Sequence, residues 1–496
     1  MKVSELLHEL RDVTASGPLE AEVLRVACDS RRIDRGALYC ALKGEKSDGL
    51  DFVDDAIKNG AAGILCECAP RRVEIAWLSA ENARRSMAEA SAIVYGHPSH
   101  ALRMVGVTGT NGKTTTAFLI HHLMKAAHHR AGLIGTVKYD DGLEEGKARH
   151  TTPESPDLNE WLARMRNNGC FGAAMEVSSH ALAQWRTHAV EFDAAVFTNL
   201  TQDHLDFHQT MEEYFLAKVK LFEQVARQAS PKRPVAVLNS DDPFGRRLAS
   251  RLEGRLKVVR YGFGATPEFR ASNVKFDFHG TSYHLEVGTR TLLVRLPLIG
   301  RFNVYNSLAA LAAATECGLN LREAVAHLAQ SPQVPGRLES VAERRNFRVF
   351  VDYAHTPDAL QNALATLREL HPKRMIAVFG CGGDRDRDKR PLMGAVADQL
   401  CDHTILTSDN PRSEDPASIL GQIRQGFRGS QVETIEDRKQ AIGKAVELAG
   451  EGDIVLIAGK GHEDYQIFRA ETIDFDDRKV ARHFIQQKES SPLPTR

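Results

Sequence analysis

The chain has 496 residues, of which 42% are hydrophobic and 26% are charged, and this composition is typical of an ordinary globular protein. Its 64 Lys and Arg residues nearly balance 65 Asp and Glu residues, which argues against a nucleic-acid or membrane-surface binder. No apolar run approaches the ~18 residues that cross a bilayer, and residues 1–5 carry charge early, so we expect neither a membrane helix nor a signal peptide.

Short apolar runs alternate with helix-length amphipathic segments along nearly the whole chain, which predicts an α/β protein with largely parallel sheets. Gly and Pro clusters at residues 96–100 and 331–336 indicate linkers. We therefore predict three domains, over residues 1–100, 101–335 and 336–496. Eight cysteines without a C-x-x-C pair are too few for a disulfide framework, so we expect a reducing, cytoplasmic compartment.

A glycine-rich loop follows the predicted strand 102–107 and precedes a helical stretch at 117–123. Its sequence, Thr-Gly-Thr-Asn-Gly-Lys-Thr-Thr-Thr at 108–116, lets successive N–H groups point at phosphates, and the helix N-terminus adds positive potential. Lys113 would reach the β- and γ-phosphates, and the Thr114 hydroxyl would hold Mg²⁺. The strict phosphate-loop pattern has glycine where this chain has valine at position 107, but the remaining pattern still predicts a nucleoside triphosphate site.

Three residues further along could complete a magnesium site. Glu176 ends one predicted strand, His204 follows the next, and Lys218 lies on a predicted helix. A carboxylate at a strand end suits Mg²⁺, which prefers oxygen ligands. Taken alone, each residue has an ordinary interpretation as a surface or packing residue. The histidine pairs at 121–122 and 128–129 are interpreted as solvated.

The last part of the chain has the clearest α/β pattern. Strands are predicted at 349–353, 375–379, 404–407 and 454–457, with helices such as 357–370 and 438–448 between them. In open sheets of this kind, ligands bind beyond the carboxyl ends of the strands. The loops that follow these strands are rich in glycine and charge, which predicts a second binding site there.

A series of short motifs along the whole chain resembles the Mur ligase family of cell-wall amino-acid-adding enzymes. These motifs are Asp-Ser-Arg at 29–31, Gly-Thr-Asn-Gly-Lys-Thr-Thr at 109–115, Glu-Val-Ser-Ser-His at 176–180, Thr-Asn-Leu-Thr-Gln-Asp-His-Leu-Asp at 198–206, Leu-Ile-Gly-Arg-Phe-Asn-Val-Tyr-Asn at 298–306, Pro-Gly-Arg-Leu-Glu at 335–339, Asp-Tyr-Ala-His at 352–355, Gly-Cys-Gly-Gly-Asp-Arg-Asp at 380–386, Asp-Asn-Pro-Arg at 409–412 and Ala-Gly-Lys-Gly-His-Glu at 458–463. The resemblance implies an N-terminal uridine-nucleotide-binding α/β domain, a central P-loop ATPase domain and a C-terminal Rossmann-like domain that receives the amino acid.

The resemblance also implies an activity. The chain would be an ATP-dependent, amide-bond-forming ligase of cytoplasmic peptidoglycan precursor synthesis. Its substrates would be UDP-MurNAc-L-Ala-D-Glu and meso-diaminopimelate, joined through an acyl-phosphate intermediate, and its cofactors would be ATP and two Mg²⁺ ions. We expect a monomer that binds neither nucleic acid nor membrane.

The family's motifs imply roles for residues of this sequence by position. The catalytic residues would be Lys113, Glu176, His204, Lys218 and Arg337. ATP would contact Gly109, Thr110, Asn111, Gly112, Lys113, Thr114, Thr115, Asn303, Asn306, Arg337 and Asp352. The metal ligands would be Thr114, Glu176, His204 and Lys218. The family's lysine at this position is carbamylated, so the resemblance implies that Lys218 is N6-carboxylysine; this agrees with the fact that a protonated amine has no lone pair to offer a metal.

The substrate contacts follow in the same way. UDP-MurNAc-dipeptide would contact Cys28, Ser30, Glu45, Lys46, Ser47, His150, Thr151, Thr152, Ser178, Gln184 and Arg186. Diaminopimelate would contact Arg385, Asp409, Asn410, Pro411, Arg412, Gly459 and Glu463. The sequence departs from the family at His150, where Asn is common, and at Cys28, where Leu is common. Diaminopimelate carries a distal carboxylate that lysine lacks, and an arginine fork binds a carboxylate with two hydrogen bonds, so we expect a strong preference for diaminopimelate.

Other functions stay open on the sequence alone. A P-loop kinase or GTPase is disfavoured because the guanine-reading N-K-x-D signature is absent and a second ligand site is predicted. Sister enzymes that add the first, second or last residue, and folylpolyglutamate synthetase, share the superfamily. Arg412 and the Asp-Ser-Arg motif at 29–31 favour the third addition step. A nucleotide-gated scaffold is disfavoured by the complete set of phosphate and metal residues.

Overall fold

The computed structural model of the chain describes residues 1–44, 47–228, 232–341, 347–429, 431–469 and 471–490. Within them, three main sheets follow one another along the chain with helices packed on them, which confirms the predicted α/β class. The domain boundaries at 100 and 335 stay a prediction. Glu45 and Lys46, which were expected at the uridine end of the substrate, lie outside the described residues. No helix in the described ranges is long and apolar enough to cross a lipid bilayer.

The first sheet has five strands, and side chains from both of its faces are buried. Its strands are β1 (Val13–Ser16), β2 (Arg25–Ala27), β3 (Ala37–Cys40), β4 (Gly63–Cys66) and β5 (Ala76–Ala80), and its helices are α1 (Val3–Glu9), α2 (Val53–Lys58) and α3 (Ala83–Val94). The strand order is β1-β5-β4-β3-β2, with only the β1–β5 pair antiparallel. Because side chains alternate along a strand, Leu38 and Leu78 enter one core cluster while Tyr39 and Trp77 enter another.

The second sheet has eleven strands and carries the predicted phosphate loop. Its strands are β6 (Arg103–Thr108), β7 (Gly132–Ile134), β8 (Lys138–Asp140), β9 (Glu145–Lys147), β10 (Gly172–Glu176), β11 (Ala194–Phe197), β12 (Val235–Asn239), β13 (Lys257–Gly262), β14 (Phe269–Asp277), β15 (Gly280–Val287) and β16 (Arg290–Leu296). Its helices are α4 (Lys113–His128), α5 (Ser155–Asn167), α6 (Ser179–Ala183), α7 (Leu205–His208), α8 (Met211–Arg227), α9 (Pro243–Leu252), α10 (Arg301–Glu316) and α11 (Leu321–Leu328).

The centre of this sheet is parallel, and its two ends are antiparallel. The strand order is β16-β15-β14-β13-β12-β11-β6-β10-β7-β8-β9. All pairs from β14 to β7 are parallel, whereas β14-β15-β16 and β7-β8-β9 form antiparallel meanders. The predicted parallel arrangement therefore holds for the strands that end at the phosphate loop.

The third sheet has six strands in the order β17-β18-β22-β19-β20-β21, and only β17 is antiparallel. In chain order the strands are β17 (Glu339–Ser340), β18 (Arg348–Asp352), β19 (Met375–Phe379), β20 (His403–Leu406), β21 (Gln431–Thr434) and β22 (Ile454–Ala458), followed by the separate hairpin β23 (Tyr465–Phe468) and β24 (Glu471–Asp474). The helices are α12 (Pro357–Arg368), α13 (Lys389–Leu400), α14 (Pro416–Arg424), α15 (Arg438–Leu448) and α16 (Asp477–Ser490).

One interpretation of the sequence is wrong, because His121 on α4 is buried rather than solvated. Its Nε2 atom lies 3.4 Å from Asp140 Oδ2 and 3.2 Å from the carbonyl oxygen of Ala131. The neighbouring His122 is half-buried, with Nε2 at 2.9 Å from the carbonyl oxygen of His327. Polar side chains are tolerated inside a protein where such partners satisfy them.

Candidate active site

The loop between β6 and α4 is packed so closely that two of its positions require glycine. Gly109 has φ +150°, and a Cβ atom there would lie 1.9 Å from Thr198 Oγ1. Gly112 has φ +85°, and a Cβ atom there would lie 2.4 Å from Asn306 Oδ1. Val107, which departs from the strict pattern, is buried within β6 between β10 and β11. The difference from the strict phosphate-loop pattern therefore lies in strand β6, whereas the loop itself has glycine at both positions that require it.

Lys113 begins the helix after this loop and folds back over the loop. Its Nζ atom donates to the carbonyl oxygens of Gly109, at 2.9 Å, and Thr110, at 2.7 Å. Burial lowers the pKa of Lys113, and the carboxylate of Glu176 opposes that shift. The lysine thus lies beside both the loop and a buried anion.

Glu176 is a fixed, buried carboxylate at the end of β10, with 1% of its surface exposed. Thr114 donates its hydroxyl to Glu176 Oε2 at 2.9 Å. Thr136 donates its backbone N–H to Oε1 at 2.8 Å and its hydroxyl to Oε2 at 3.1 Å. Thr136 was not predicted, because it lies after β7 and reaches Glu176 only through the fold. Thr114 and Glu176 together offer the oxygen atoms that a Mg²⁺ ion prefers.

Lys218 and His204 line the same cavity as Glu176. Lys218 is 1% exposed, donates to the carbonyl oxygen of Gly109 at 2.9 Å, and lies 4.3 Å from the ring centre of Tyr214. Burial and the nearby Lys113 hold the pKa of Lys218 well below its ordinary value. Burial also lowers the pKa of His204 to about 4, although Asp203 opposes the change.

Arg337 reaches this site from the segment between α11 and β17. Its Nη2 atom donates to Thr114 Oγ1 at 2.9 Å, and its guanidinium group lies 4.6 Å from the ring centre of Tyr353. Asp352 holds the segment, because its carboxylate accepts N–H groups from Leu338 at 2.6 Å and Ala354 at 2.8 Å. Burial raises the pKa of Asp352. Asp352 therefore positions the chain that carries Arg337.

The two asparagines on α10 are buried side by side. Asn306 accepts the Thr116 hydroxyl at 3.3 Å and donates to Asn303 Oδ1 at 3.0 Å. Asn303 in turn donates to the carbonyl oxygen of Ile299 at 2.9 Å. Asn306 lines the cavity, and Asn303 supports it from behind.

These side chains surround a cavity of 660 Å³ between the second and third sheets. Helix α12 forms one wall, and its Asp358 carboxylate accepts hydrogen bonds from Asn111 Nδ2 at 2.8 Å and from the Thr201 hydroxyl at 3.1 Å. Asp358 was not predicted. The phosphate loop is thus bonded directly to the C-terminal part of the chain.

Several predicted acceptor residues form a continuous strip that starts at Glu176. Thr151 lies 3.0 Å, hydroxyl to hydroxyl, from Thr136, and Thr152 donates its hydroxyl to the Glu176 carbonyl oxygen at 2.8 Å. Arg186 donates to the carbonyl oxygen of Thr152 at 2.8 Å and to Gln184 Oε1 at 2.7 Å. The strip carries hydroxyl, amide and guanidinium groups, which suit a substrate with phosphate and carboxylate groups.

The remaining acceptor residues lie at the edges of this strip or in the first sheet. Ser178 caps the N-terminus of α6 and donates its N–H to Thr152 Oγ1 at 3.1 Å. His150 and Ser47 are exposed, and Ser30 begins a short 3₁₀ helix. Burial raises the pKa of Cys28 to about 12, so its thiol stays neutral at physiological pH.

The predicted amino-acid residues come together at the carboxyl ends of β20 and β22. Asn410 Nδ2 donates to Glu463 Oε2 at 2.9 Å, and a Cβ atom on Gly459 would lie 2.4 Å from Asp409 Oδ2. Burial raises the pKa of Glu463, and Lys460 opposes this shift. Lys460, fully buried, was not assigned a role from the sequence.

Two arginines and a proline complete this group. Arg412, with φ +52°, donates to the carbonyl oxygen of Gly383 at 2.7 Å. The carbonyl oxygen of Pro411 would lie 1.9 Å from a Cβ atom on Gly383. Arg385 is exposed on the neighbouring loop and donates to the carbonyl oxygen of Asp384 at 3.0 Å. The loop after β19 therefore packs tightly on the loop after β20, although the binding roles of these residues stay predictions.

The geometry defines a class of protein. A strand-loop-helix phosphate site presents a lysine, a threonine and a buried glutamate to a cavity that a second α/β unit closes. This is the arrangement of a P-loop enzyme that uses a nucleoside triphosphate.

Comparisons with known proteins identify the family within that class. The sequence matches domains described as "Mur ligase family, catalytic domain" at residues 22–105, "Mur ligase middle domain" at 107–314 and "Mur ligase, glutamate ligase domain" at 336–461. The chain belongs to the Mur ligase family, as the motifs indicated.

Two similar curated proteins are both named UDP-N-acetylmuramoyl-L-alanyl-D-glutamate--2,6-diaminopimelate ligase. The protein of Syntrophomonas wolfei is 42% identical over 98% of this chain and 100% of its own length. The protein of Solibacter usitatus is 44% identical over 98% of both chains. A solved structure with the same name is 33% identical, with a TM-score of 0.71, and covers 99% of this chain and 100% of its own.

Proposed function

We propose that this chain joins meso-diaminopimelate to UDP-MurNAc-L-Ala-D-Glu at the expense of ATP, as a step of peptidoglycan precursor synthesis in the cytoplasm. The observation that carries the proposal is the connection between three sites. Glu176 accepts a hydrogen bond from Thr114 of the phosphate loop, and its backbone carbonyl accepts one from Thr152, where the strip of residues proposed to bind the acceptor begins. Arg337 in turn bonds to Thr114 and connects the phosphate loop to the third sheet, whose loops are proposed to bind the amino acid. The two curated relatives named UDP-N-acetylmuramoyl-L-alanyl-D-glutamate--2,6-diaminopimelate ligase align with this chain over nearly their whole length.

The chemistry explains why the sites must meet. A carboxylate is a poor electrophile, so ATP first converts the D-Glu side-chain carboxylate to an acyl phosphate. Phosphoryl transfer depends on positioning and charge neutralisation rather than on covalent help from the protein. Lys113 and Arg337, which bond to Thr110 and Thr114 of the phosphate loop, would supply positive charge. The amine of diaminopimelate then attacks the acyl carbon and phosphate leaves.

The buried oxygen atoms around the phosphate loop fit magnesium. Thr114 and Glu176 would hold a first ion, and Glu176, His204 and Lys218 would contribute to a second. When bound, such ions neutralise phosphate charge and orient the oxygens. Lys218 would contribute as a carbamate, because its ammonium form offers no lone pair.

Carbamylation of Lys218 can be measured directly. We expect the protein equilibrated with ¹³C-bicarbonate to show a carbamate signal in ¹³C NMR. Lys218→Ala removes the signal, whereas Lys220→Ala, which changes an exposed lysine on the same helix, keeps it. A signal unaffected by Lys218→Ala would contradict the assignment.

The residues proposed to bind the amino acid include both arginines and carboxylates, which match the carboxylate and ammonium groups of diaminopimelate. Arg412 and Arg385 would bind its distal carboxylate, and Asp409 and Glu463 would bind an ammonium group. Lysine would leave an arginine without its partner, which costs about 1–3 kcal/mol, or about 5- to 150-fold in kcat/KM.

The test is an amino-acid panel with ATP and UDP-MurNAc-L-Ala-D-Glu, read by phosphate release and product mass. We expect meso-diaminopimelate to be strongly preferred, and comparable turnover of L-lysine would contradict the proposal. ADP release without any amine would indicate a kinase instead, and no turnover with any acceptor would indicate a nucleotide-gated scaffold. We also propose that the chain acts as a monomer.

A further inference from the structure

Lys460 is a buried cation beside Asn410 and Glu463, two of the residues proposed to bind the amino acid. It lies between β22 and β23, and none of its side chain is exposed. Its Nζ atom donates to Asn410 Oδ1 at 3.1 Å and to Glu463 Oε2 at 3.1 Å. The ammonium group also lies 5.3 Å from the ring centre of Tyr465. A buried lysine is costly unless it is paired, so this arrangement needs an explanation.

The first effect of Lys460 is on the amide of Asn410. Asn410 Oδ1 accepts both from Lys460 and from the backbone N–H of Ile467, at 3.1 Å. The amide nitrogen of Asn410 is a donor only and could not accept these two hydrogen bonds. The amide group of Asn410 therefore has a single orientation. Its Nδ2 atom is therefore directed at Glu463 Oε2.

The second effect is on the carboxylate of Glu463. Lys460 and Asn410 both donate to Oε2, and within the described residues Oε1 accepts no hydrogen bond. Burial raises the pKa of Glu463, Lys460 opposes this shift, and the carboxylate of Asp409 adds to it. The side chain of Glu463 is 16% exposed, so part of it is accessible to a ligand.

We propose that Lys460 is a positioning residue that fixes the Glu463 carboxylate in the orientation that receives the ammonium group of the incoming amino acid. The lysine acts through Glu463 and does not touch the substrate. This inference rests on the proposed function, because it assigns the pocket to an amino acid. It predicts that removal of Lys460 impairs amino-acid binding and spares the ATP and acceptor sites.

The first experiment measures steady-state kinetics of Lys460→Met. We expect the KM for meso-diaminopimelate to rise about tenfold or more, while kcat and the KM values for ATP and UDP-MurNAc-L-Ala-D-Glu change less than about twofold. Lys444→Met, which removes a partly exposed ion pair with Glu447, is the matched control and leaves all values unchanged. An unchanged KM for diaminopimelate in Lys460→Met overturns the proposal.

The second experiment is a double-mutant cycle with Glu463→Gln. Because Lys460 acts through Glu463, Lys460→Met adds less than about twofold to the KM in the Glu463→Gln background. A further increase of about fivefold or more overturns the proposal, since a general structural role would act in either background.

The cycle also answers the question of folding. Lys460→Met alone leaves a buried carboxylate without its cation and can unfold the protein, whereas the double variant removes both charges. If Lys460→Met alone is unfolded in a thermal scan, the KM for diaminopimelate can still be compared between Glu463→Gln and the double variant. A wild-type protein that uses no amino acid overturns both the proposed function and this inference, whereas an active wild type with additive variants overturns this inference alone.

Discussion

Replacement of Arg337 by methionine tests the link between the phosphate loop and the C-terminal unit. The guanidinium group donates to the Thr114 hydroxyl at 2.9 Å and stacks on Tyr353 at 4.6 Å, so its position is fixed on both sides. Loss of one fixed donor that faces developing charge costs about 2.7–4 kcal/mol, or about 10²- to 10³-fold in kcat. Arg337→Lys keeps the charge but loses the planar fork, so we expect an intermediate loss.

The assay is phosphate release with all three substrates saturating, followed by separate KM measurements. We expect the loss in kcat, with the KM for diaminopimelate nearly unchanged, because Arg337 is not among the residues proposed to bind diaminopimelate. Arg260→Met is the matched control, because it removes an exposed ion pair with Glu268 on the surface of the second sheet. A kcat within about threefold of wild type for Arg337→Met would refute the assigned role.

Three further predictions concern stability and domain contact. Asp477→Ala leaves the fully buried Arg438 unpaired and should lower the free energy of unfolding by about 3–5 kcal/mol in urea titrations; a loss below about 1 kcal/mol would contradict this. Hydrogen bonds from Arg390 lower the pKa of Glu414 from 4.5 to about 2, so the Tm advantage of wild type over Glu414→Gln should be complete above pH 4.5 and disappear as the pH falls towards 2. A Tm difference independent of pH would contradict the ion pair. Asp358→Ala removes two hydrogen bonds to the phosphate-loop side and should raise the KM for ATP several-fold, and an unchanged KM would contradict its role.

The phosphate loop shows what the sequence predicts well. Glycines, a lysine and a threonine between a strand and a helix form a local pattern, although the helix begins at Lys113, four residues before the predicted helical stretch at 117–123. Glu176, His204 and Lys218 are different, because each has an ordinary interpretation in isolation. Only the ordered series of motifs linked them, and the fold then placed them around one cavity.

The residues that the sequence missed make contacts across long separations. Thr136, Asp358 and Lys460 bond to Glu176, Asn111 and Asn410, which are 40 to 247 residues away along the chain, and no local pattern marks such contacts. The antiparallel meander β14–β16 did leave a signal, because polar and apolar residues alternate along it and glycines at 280 and 288 mark its turns. His121 was misjudged because its acidic partner, Asp140, lies on a strand distant in the chain.

The buried Arg438 has a consequence for chimeric enzymes. It pairs with Asp477 and donates to the carbonyl oxygens of Ser408 and Ala458, the residues that immediately precede the two loops proposed to bind the amino acid, which begin at Asp409 and Gly459. The ion pair between α15 and α16 therefore fixes the distance between these two loops. If only the two loops were exchanged between related ligases, the binding side chains would be transferred without the Arg438–Asp477 pair that holds the loops apart. An exchange of the whole C-terminal part, from residue 336 onwards, would transfer the loops and this ion pair together.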